Sequence, residues 1–539
     1  MAFCLKRRET RAFAHVRAWG ERMGARQVGL SIFGIVVIVS GLAALYASYR
    51  GVIYGMAVYA LFGCALALSL GATGVMPAQL FLAFFVLRAF NLVGGRKLAD
   101  AFSLDKPGFW LLCTCVWGVA GAIVLPRLLA GSTLVFPVDR DATGAGLDIL
   151  LRPLAPVSGN LSQAVYLIAD TLVYCCMYAF LQFRGVYRTL ANAILLLTAL
   201  DVLAGVIDIA SHAVGVDALS FVKTAQFAYL TGAEMEGLVR ISGTFSETSG
   251  FSGFTVPLFV FCLNLWLVGF RPKLSGMLAA ASGALLLLST SGSAYVGLGG
   301  YLVVLLFSRP QRVARAASAR KHRLWIMSVC LGALGALYVV LFLPAVADVL
   351  AQFVDTTILS KAASSSGVER MGWNAQGVTN FFDTYGIGVG LGSIRASSFL
   401  VVLLASLGIV GVICYGLFIG KSLFSPVSPD YPFTERAVCY AARHSTISAL
   451  IVASASGGVF ELGVCFYLIV AAAGALSLAP RRVPKPRTTV RLGLLNNEVS
   501  DGIECQPGGN RVEKVHPAVA RKSAKNLPDF RHAGPRRTP

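Results

Sequence analysis

The sequence predicts an all-α polytopic membrane protein with about twelve transmembrane helices and two or three sizeable exported loops. Three observations carry this reading. The 539-residue chain is 56% hydrophobic and 13% charged, with a mean hydropathy of +0.71, whereas a soluble protein carries about 25% charged residues. Apolar stretches of about 20 residues, the length that crosses a bilayer, recur along it. The charge is also segregated: residues 1–27 hold seven Lys/Arg against two Glu, and 480–539 hold thirteen Lys/Arg against five acidic residues. The net +20 therefore records topology first, because basic residues stay on the cytoplasmic side. Contact with anionic membrane lipids follows second.

The elements follow in order. Residues 1–27 form a basic N-terminus expected in the cytoplasm. Spans follow near 28–47, 52–70, 76–93, 108–129, 164–183, 189–210, 251–270, 274–290, 292–307, 324–346, 396–419, 443–459 and 461–478. The first is read as an uncleaved anchor, since further spans come at once. Arg184–Arg188, Phe270–Lys273, Arg309–Arg323 and the bases from Arg481 onward are assigned inside. This leaves exported loops near 130–163, 211–250 and 347–394. Three full spans before Arg96 and Lys97 would put the N-terminus outside. Gly71–Pro77 is therefore expected to mark a re-entrant or broken element, leaving twelve full spans and both termini cytoplasmic. Non-helical backbone at that depth must be buried in protein. Residues 28–479 form the membrane domain, and the Pro-, Gly- and Arg-rich 480–539 a basic disordered cytoplasmic tail.

Several functions are excluded. The basic runs lack interleaved aromatics, which argues against nucleic acid. Nine of the twelve cysteines sit in apolar stretches, where free Cys behaves as a small hydrophobe, and the long exported loops hold none. No CxxC spacing occurs and the six histidines are scattered, so no metal site is indicated.

Two polar segments stand out. Leu238–Phe251 reads LVRISGTFSETSGF. Ser246 or Thr248 suits the N-cap of the following span, and a helix N-terminus with Arg240 in reach suits an anion. Glu247 then needs its own task, such as accepting a proton from an attacking hydroxyl. The same residues also suit a capped helix closed by an Arg–Glu pair. In the second segment, 347–363 reads as an amphipathic surface helix and a further helix starts near Val368. Arg370 and Asn374, at i and i+4, share one face of it. Gly386, Gly388, Gly390 and Gly392 then form an alternating glycine strand or nest whose N–H groups would bind an anion. Ser393, Arg395 and Ser398 stand at the mouth of the next span. No Rossmann strand precedes these glycines, which argues against a dinucleotide. A flexible loop with a snorkelling arginine fits them as well. Asp201 and Asp208, seven apart on one helix face, would pair with Arg88 or relay protons in a transporter.

The RISGTFSETSGF stretch at 240–251, LLLSTSGSAY at 286–295 and GIGVGLGSIRASS at 386–398 followed by Gly408-Ile-Val-Gly411 resemble, in order and spacing, motifs of the bacterial O-antigen polymerase and ligase superfamily. The resemblance covers roughly residues 30–480. It implies a glycosyltransferase of the bacterial inner (plasma) membrane that acts on an undecaprenyl-diphosphate-linked glycan at the outer face, inverting, with no metal and no cofactor. It implies that Arg240 and Arg395, with Arg370, hold the diphosphate. Ligases of this superfamily carry a histidine in the last large exported loop; 347–394 holds none, which favours a polymerase of exopolysaccharide or O-antigen over an O-antigen ligase. The expected site is thus Arg240, Glu247 and Arg395 as catalytic residues, with Arg370, Asn374, Ser246, Ser393 and Ser398 binding substrate. A flippase and a chain-length regulator are the expected protein partners. A polysaccharide or lipid transporter and a non-catalytic partner in glycan export are the alternatives from other classes.

Overall fold

A computed structural model describes residues 28–70, 73–137, 151–216, 218–225, 234–235, 238–342 and 365–476. The expected N-terminal segment 1–27, the surface helix 347–363 and the tail 480–539 lie outside the described residues. The described chain is mostly helical, and five of its helices are long and apolar enough to cross a membrane. These are α5 (Pro107–Leu128), α6 (Ser158–Phe180), α7 (Val186–Val214), α8 (Thr248–Val268) and α13 (Phe399–Phe424). The shortest, α8, has 21 residues, about 31 Å of helix, which matches a hydrocarbon core of about 30 Å.

The N-terminal elements differ from expectation. Strand β1 (Val28–Leu30) leads into α1 (Ile32–Tyr46), α2 (Tyr49–Tyr59), the strands β2 (Leu68–Leu70) and β3 (Thr73–Val75), and α3 (Pro77–Val93). The spans expected at 28–47 and 52–70 are thus helices of only 15 and 11 residues. Ser31 ends β1 and caps α1, its Oγ accepting from the Gly34 N–H at 3.0 Å. The three strands pair antiparallel, Val28 opposite Leu70 and Leu68 opposite Val75. Pairing satisfies backbone that has left the helix, the requirement at membrane depth. The break expected at Gly71–Pro77 falls on this hairpin, whose residues 71–72 lie outside the described set. The sheet gathers the start of α1, the exit of α2 and the start of α3 at one end. At the other, Arg88 near the end of α3 donates to the Ala47 carbonyl just past α1. The chain therefore runs between the two ends three times from Val28 to Arg96.

Further along, α4 (Gly95–Asp100) carries Arg96 and Lys97, and β4 (Leu134–Val135) pairs with β5 (Arg152–Pro153). A small pair, β6 (Glu234–Met235) and β7 (Leu238–Val239), precedes α8. Then come α9 (Pro272–Leu288), α10 (Gly292–Phe307), α11 (Ala317–Phe342), α12 (Ser365–Asp383), α14 (Phe433–Ser456) and α15 (Val464–Gly474). Helix α11 begins seven residues before the expected span because its basic first turns are used. Arg320 donates to the Leu267 carbonyl at 3.2 Å, and Lys321 to Leu306 and Ser308 at 2.9 and 2.8 Å. Cations thus meet the negative ends of α8 and α10. Helix α8 is the hub, packed on α14, α9, α10 and α7.

The glycine segment 386–392 is neither strand nor anion nest. Its four glycines take φ between 77° and 94°, and the segment threads between α5, α6 and α13. The reason lies in α13, which breaks at Gly408 (φ 61°, ψ −166°). The break frees carbonyls and an N–H, and each finds a partner. Val389 N–H donates to Ala405 at 2.8 Å, Gly390 N–H to Ser406 at 3.1 Å, and Ile409 N–H to Gly386 at 2.9 Å. Trp117 Nε1 donates to Leu407 at 2.7 Å. The N–H groups expected for an anion are therefore largely spent on the bundle. Asn160, at the start of α6, fastens the far end by donating to the Leu391 carbonyl and Ser393 Oγ, both at 2.8 Å.

This packing makes a direct prediction. A Cβ on Gly392 would lie 2.2 Å from the Gly159 carbonyl oxygen, at φ +80°. Left-handed backbone alone costs a non-glycine residue about 1–2 kcal/mol, and the clash adds to it. Gly392→Ala should lower the melting temperature and the monodisperse yield in detergent. Gly416→Ala, with nothing within 4 Å of its Cβ, should leave both unchanged; equal behaviour of the two would refute the packing role.

Candidate functional site

The first polar segment is held by buried carboxylates of α7. Asp208 Oδ2 accepts from the N–H groups of Ser242 at 2.8 Å and Gly243 at 3.0 Å. Lys223 Nζ lies 3.5 Å from Asp208 Oδ1 and donates to Ser242 Oγ at 3.0 Å. Two turns earlier, Asp201 Oδ2 accepts from Thr255 Oγ1 of α8 at 2.9 Å. One face of α7 thus grips α8 and the loop before it. This corrects the expected pairing of Asp201 and Asp208 with Arg88, which bonds instead to the Ala47 carbonyl.

Glu247, rather than Ser246 or Thr248, occupies the N-cap of α8, with no side-chain cap bond. It accepts from Ser249 Oγ instead. Arg240 stands at the start of the loop, half-buried, and its Nε is buried with no hydrogen-bond partner.

The second segment delivers Arg395. Its N–H donates to the Phe136 carbonyl at 2.8 Å, and its guanidinium lies over the Trp373 ring of α12 at 4.9 Å, a cation–π arrangement. Asn374, one residue along α12, accepts from the Ser397 N–H at 2.8 Å. The strap after α5 holds α12 in turn. Asn380 Nδ2 donates to Thr133 Oγ1 at 2.9 Å, and Gln376 Nε2 to the Leu134 carbonyl at 2.7 Å.

The two segments meet. Burial pushes the Arg240 and Arg395 guanidiniums down from their ordinary value. Glu247 offsets this at both, Arg370 adds to it at both, and Glu369 gives Arg395 a further offset. Three guanidiniums and two carboxylates therefore share one neighbourhood, with one positive charge in surplus. Among the described residues neither Arg240 nor Arg395 closes an ion pair onto Glu247, so the simple capped helix closed by an Arg–Glu pair is not what forms. Beside the cluster lies a cavity of about 350 Å³ lined by Glu247, Ser249, Phe245, Gln79 and Glu461, at the lower end of ligand-pocket sizes. It lies at the end of α8 opposite Phe270–Lys273.

Of the expected residues, Arg240, Glu247, Arg370 and Arg395 come together. Asn374 and Ser393 do not point to substrate: Asn374 holds Ser397, and Ser393 Oγ donates to the Val389 carbonyl at 3.0 Å while accepting from Asn160. Ser246 faces the Cys64 thiol. Ser398 is the N-cap of α13, without a cap bond. Asp208 was visible as an acidic residue in an apolar run, but beside Lys223 its partners are two peptide groups, which no side-chain pattern announces. Trp373 carried no signal beyond membership of an apolar face.

Asp208→Ala removes a charged acceptor from two N–H groups. Hydrogen bonds to charged groups contribute about 1.5–3 kcal/mol each, so amide exchange across 242–247 should quicken at least about tenfold, with mid-helix α8 unaffected. Unaltered loop exchange would mean that the loop is held elsewhere.

No protein-family model matches the chain, and no curated protein matches it in sequence.

Proposed function

We propose that the protein is a membrane-embedded glycosyltransferase that joins undecaprenyl-diphosphate-linked repeat units into exopolysaccharide or O-antigen. The observation that carries the reading is the half-buried Arg240–Arg370–Arg395 cluster, with its surplus positive charge, beside the Glu247 cavity. An acceptor hydroxyl attacks the anomeric carbon and the lipid diphosphate departs. Arginines aimed at the departing charge supply the electrostatic stabilisation. Glu247, whose charge acts on both Arg240 and Arg395, orients both. A transporter that relays protons through Asp201 and Asp208 is less well supported, since both carboxylates are tied to α8 and its loop. The basic turns are assigned to the cytoplasm and the site to the outer face.

Three measurements test this. Reporter fusions at Ala142, Ala225 and Ser364 should read outside, and those at Ala316 and Ala520 inside; an outside signal at Ala316 inverts the topology and removes the site from the outer face. A deletion strain should make and flip single lipid-linked units but lack long chains. Accumulation on the cytoplasmic face alone would indicate a flippase, and a defect confined to transfer onto the outer-membrane lipid core would indicate a ligase. Lysine lacks the planar fork of arginine, so Arg240→Lys and Arg395→Lys should each lower turnover about 10²–10³-fold. Arg309→Lys should be silent, and near-normal polymer from Arg240→Lys would defeat the assignment.

A further inference from the structure

The cavity that holds Glu247 has a second carboxylate with a different environment. Glu461 lies in the 457–463 break between α14 and α15 and lines the same cavity. Among the described residues no cation and no hydrogen-bond donor is paired with it. Its charged and titratable surroundings are all acidic or neutral. Asp170 of α6, 3% exposed, interacts with it electrostatically. Tyr467 and Cys465 lie on its own side along α15, Tyr415 of α13 stands by Asp170, and Glu247 lies across the cavity. Arg395 is near the break, its Nε 4.0 Å from where a Cβ on Gly458 would lie, yet its carboxylate influences come from Glu247 and Glu369.

The cavity is lined by two carboxylates, Glu247 on the side of the arginine cluster and the unpaired Glu461, and transfer to a hydroxyl needs both a cation for the leaving group and a base. Glu247 accepts from Ser249 Oγ and faces the charge of Arg240 and Arg395. We propose that Glu461 is a catalytic residue, the acceptor of the proton from the attacking sugar hydroxyl. This rests on the polymerase reading. The hydroxyl oxygen bonds to the anomeric carbon. The bond from that carbon to the diphosphate breaks, and its electron pair leaves with the diphosphate, toward Arg240 and Arg395. The hydroxyl proton passes to the Glu461 carboxylate and is released to solvent before the next turnover.

The test uses the full chain in nanodiscs, with lipid-linked repeat units extracted from the deletion strain, and follows kcat against pH. Glu461→Gln should lower kcat about 10²–10⁴-fold, the usual contribution of a positioned base, with KM changed little and the acid limb of the profile gone. If Glu461→Gln does not assemble, Glu461→Asp carries the test: kcat should fall at least about tenfold with an acid limb still present. A Glu461→Gln enzyme within threefold of wild type with its acid limb intact would overturn the proposal and return the base to Glu247, as would unchanged kcat in Glu461→Asp. A wild-type protein that never elongates these units would instead fail the polymerase reading itself, whatever stands at 461.

Discussion

A helix broken inside a bilayer must have every freed peptide group satisfied by protein, because no water is there to do it. The break in α13 at Gly408 and the glycine segment 386–392 meet this constraint together. Carbonyls 405 to 407 and the Ile409 N–H are all taken up, by three peptide groups and the Trp117 indole. The arrangement needs backbone to approach backbone, so glycine stands at both faces: a Cβ on Gly388 would lie 2.7 Å from the Gly408 nitrogen. The position of Arg395 follows, three residues past the end of the segment. The splice fixes one side of it, and Trp373 and the Phe136 carbonyl fix the other.

The second half of the site is fixed by charge rather than by steric fit. Asp208 is buried at 0% exposure, where an unpaired carboxylate would be severely destabilising. It is tolerated because Lys223 and two peptide N–H groups face it. The same contacts set the path of the loop that carries Arg240 to Glu247. Two different solutions to burying polar groups, one neutral and one ionic, thus bring two arginines from remote parts of the chain within electrostatic reach of Glu247.

Much of this was legible in the sequence, and for identifiable reasons. Apolar runs longer than 20 residues marked α5, α6, α7, α8 and α13, because bilayer thickness dictates their length. Arg240, Glu247, Arg370 and Arg395 stood out because charge in such a chain is costly and therefore conspicuous. Side-chain roles that depend on partners remote in sequence were not legible. Asn374 and Ser393 looked like substrate ligands and are spent on Ser397 and Asn160. The glycines looked like an anion nest because φ is readable from glycine, whereas the Gly390 N–H meets the Ser406 carbonyl beside the Gly408 kink, and the Gly386 and Gly388 N–H groups turn back to Phe381 and Thr384. The short strands β1 to β3 were hidden inside apolar stretches whose composition suits strand and helix alike.

The central claim is that Arg240 and Arg395 jointly bind the diphosphate of a lipid-linked substrate. Direct titration of undecaprenyl diphosphate into the purified chain in neutral-lipid nanodiscs tests it without any turnover. Wild-type protein should bind with an affinity that falls as salt rises, and Arg240→Gln with Arg395→Gln should weaken binding at least about a hundredfold, the loss of two charge-assisted contacts of about 1.5–3 kcal/mol each. Equal affinity of the double variant and the wild type, at low and high salt alike, would contradict the account.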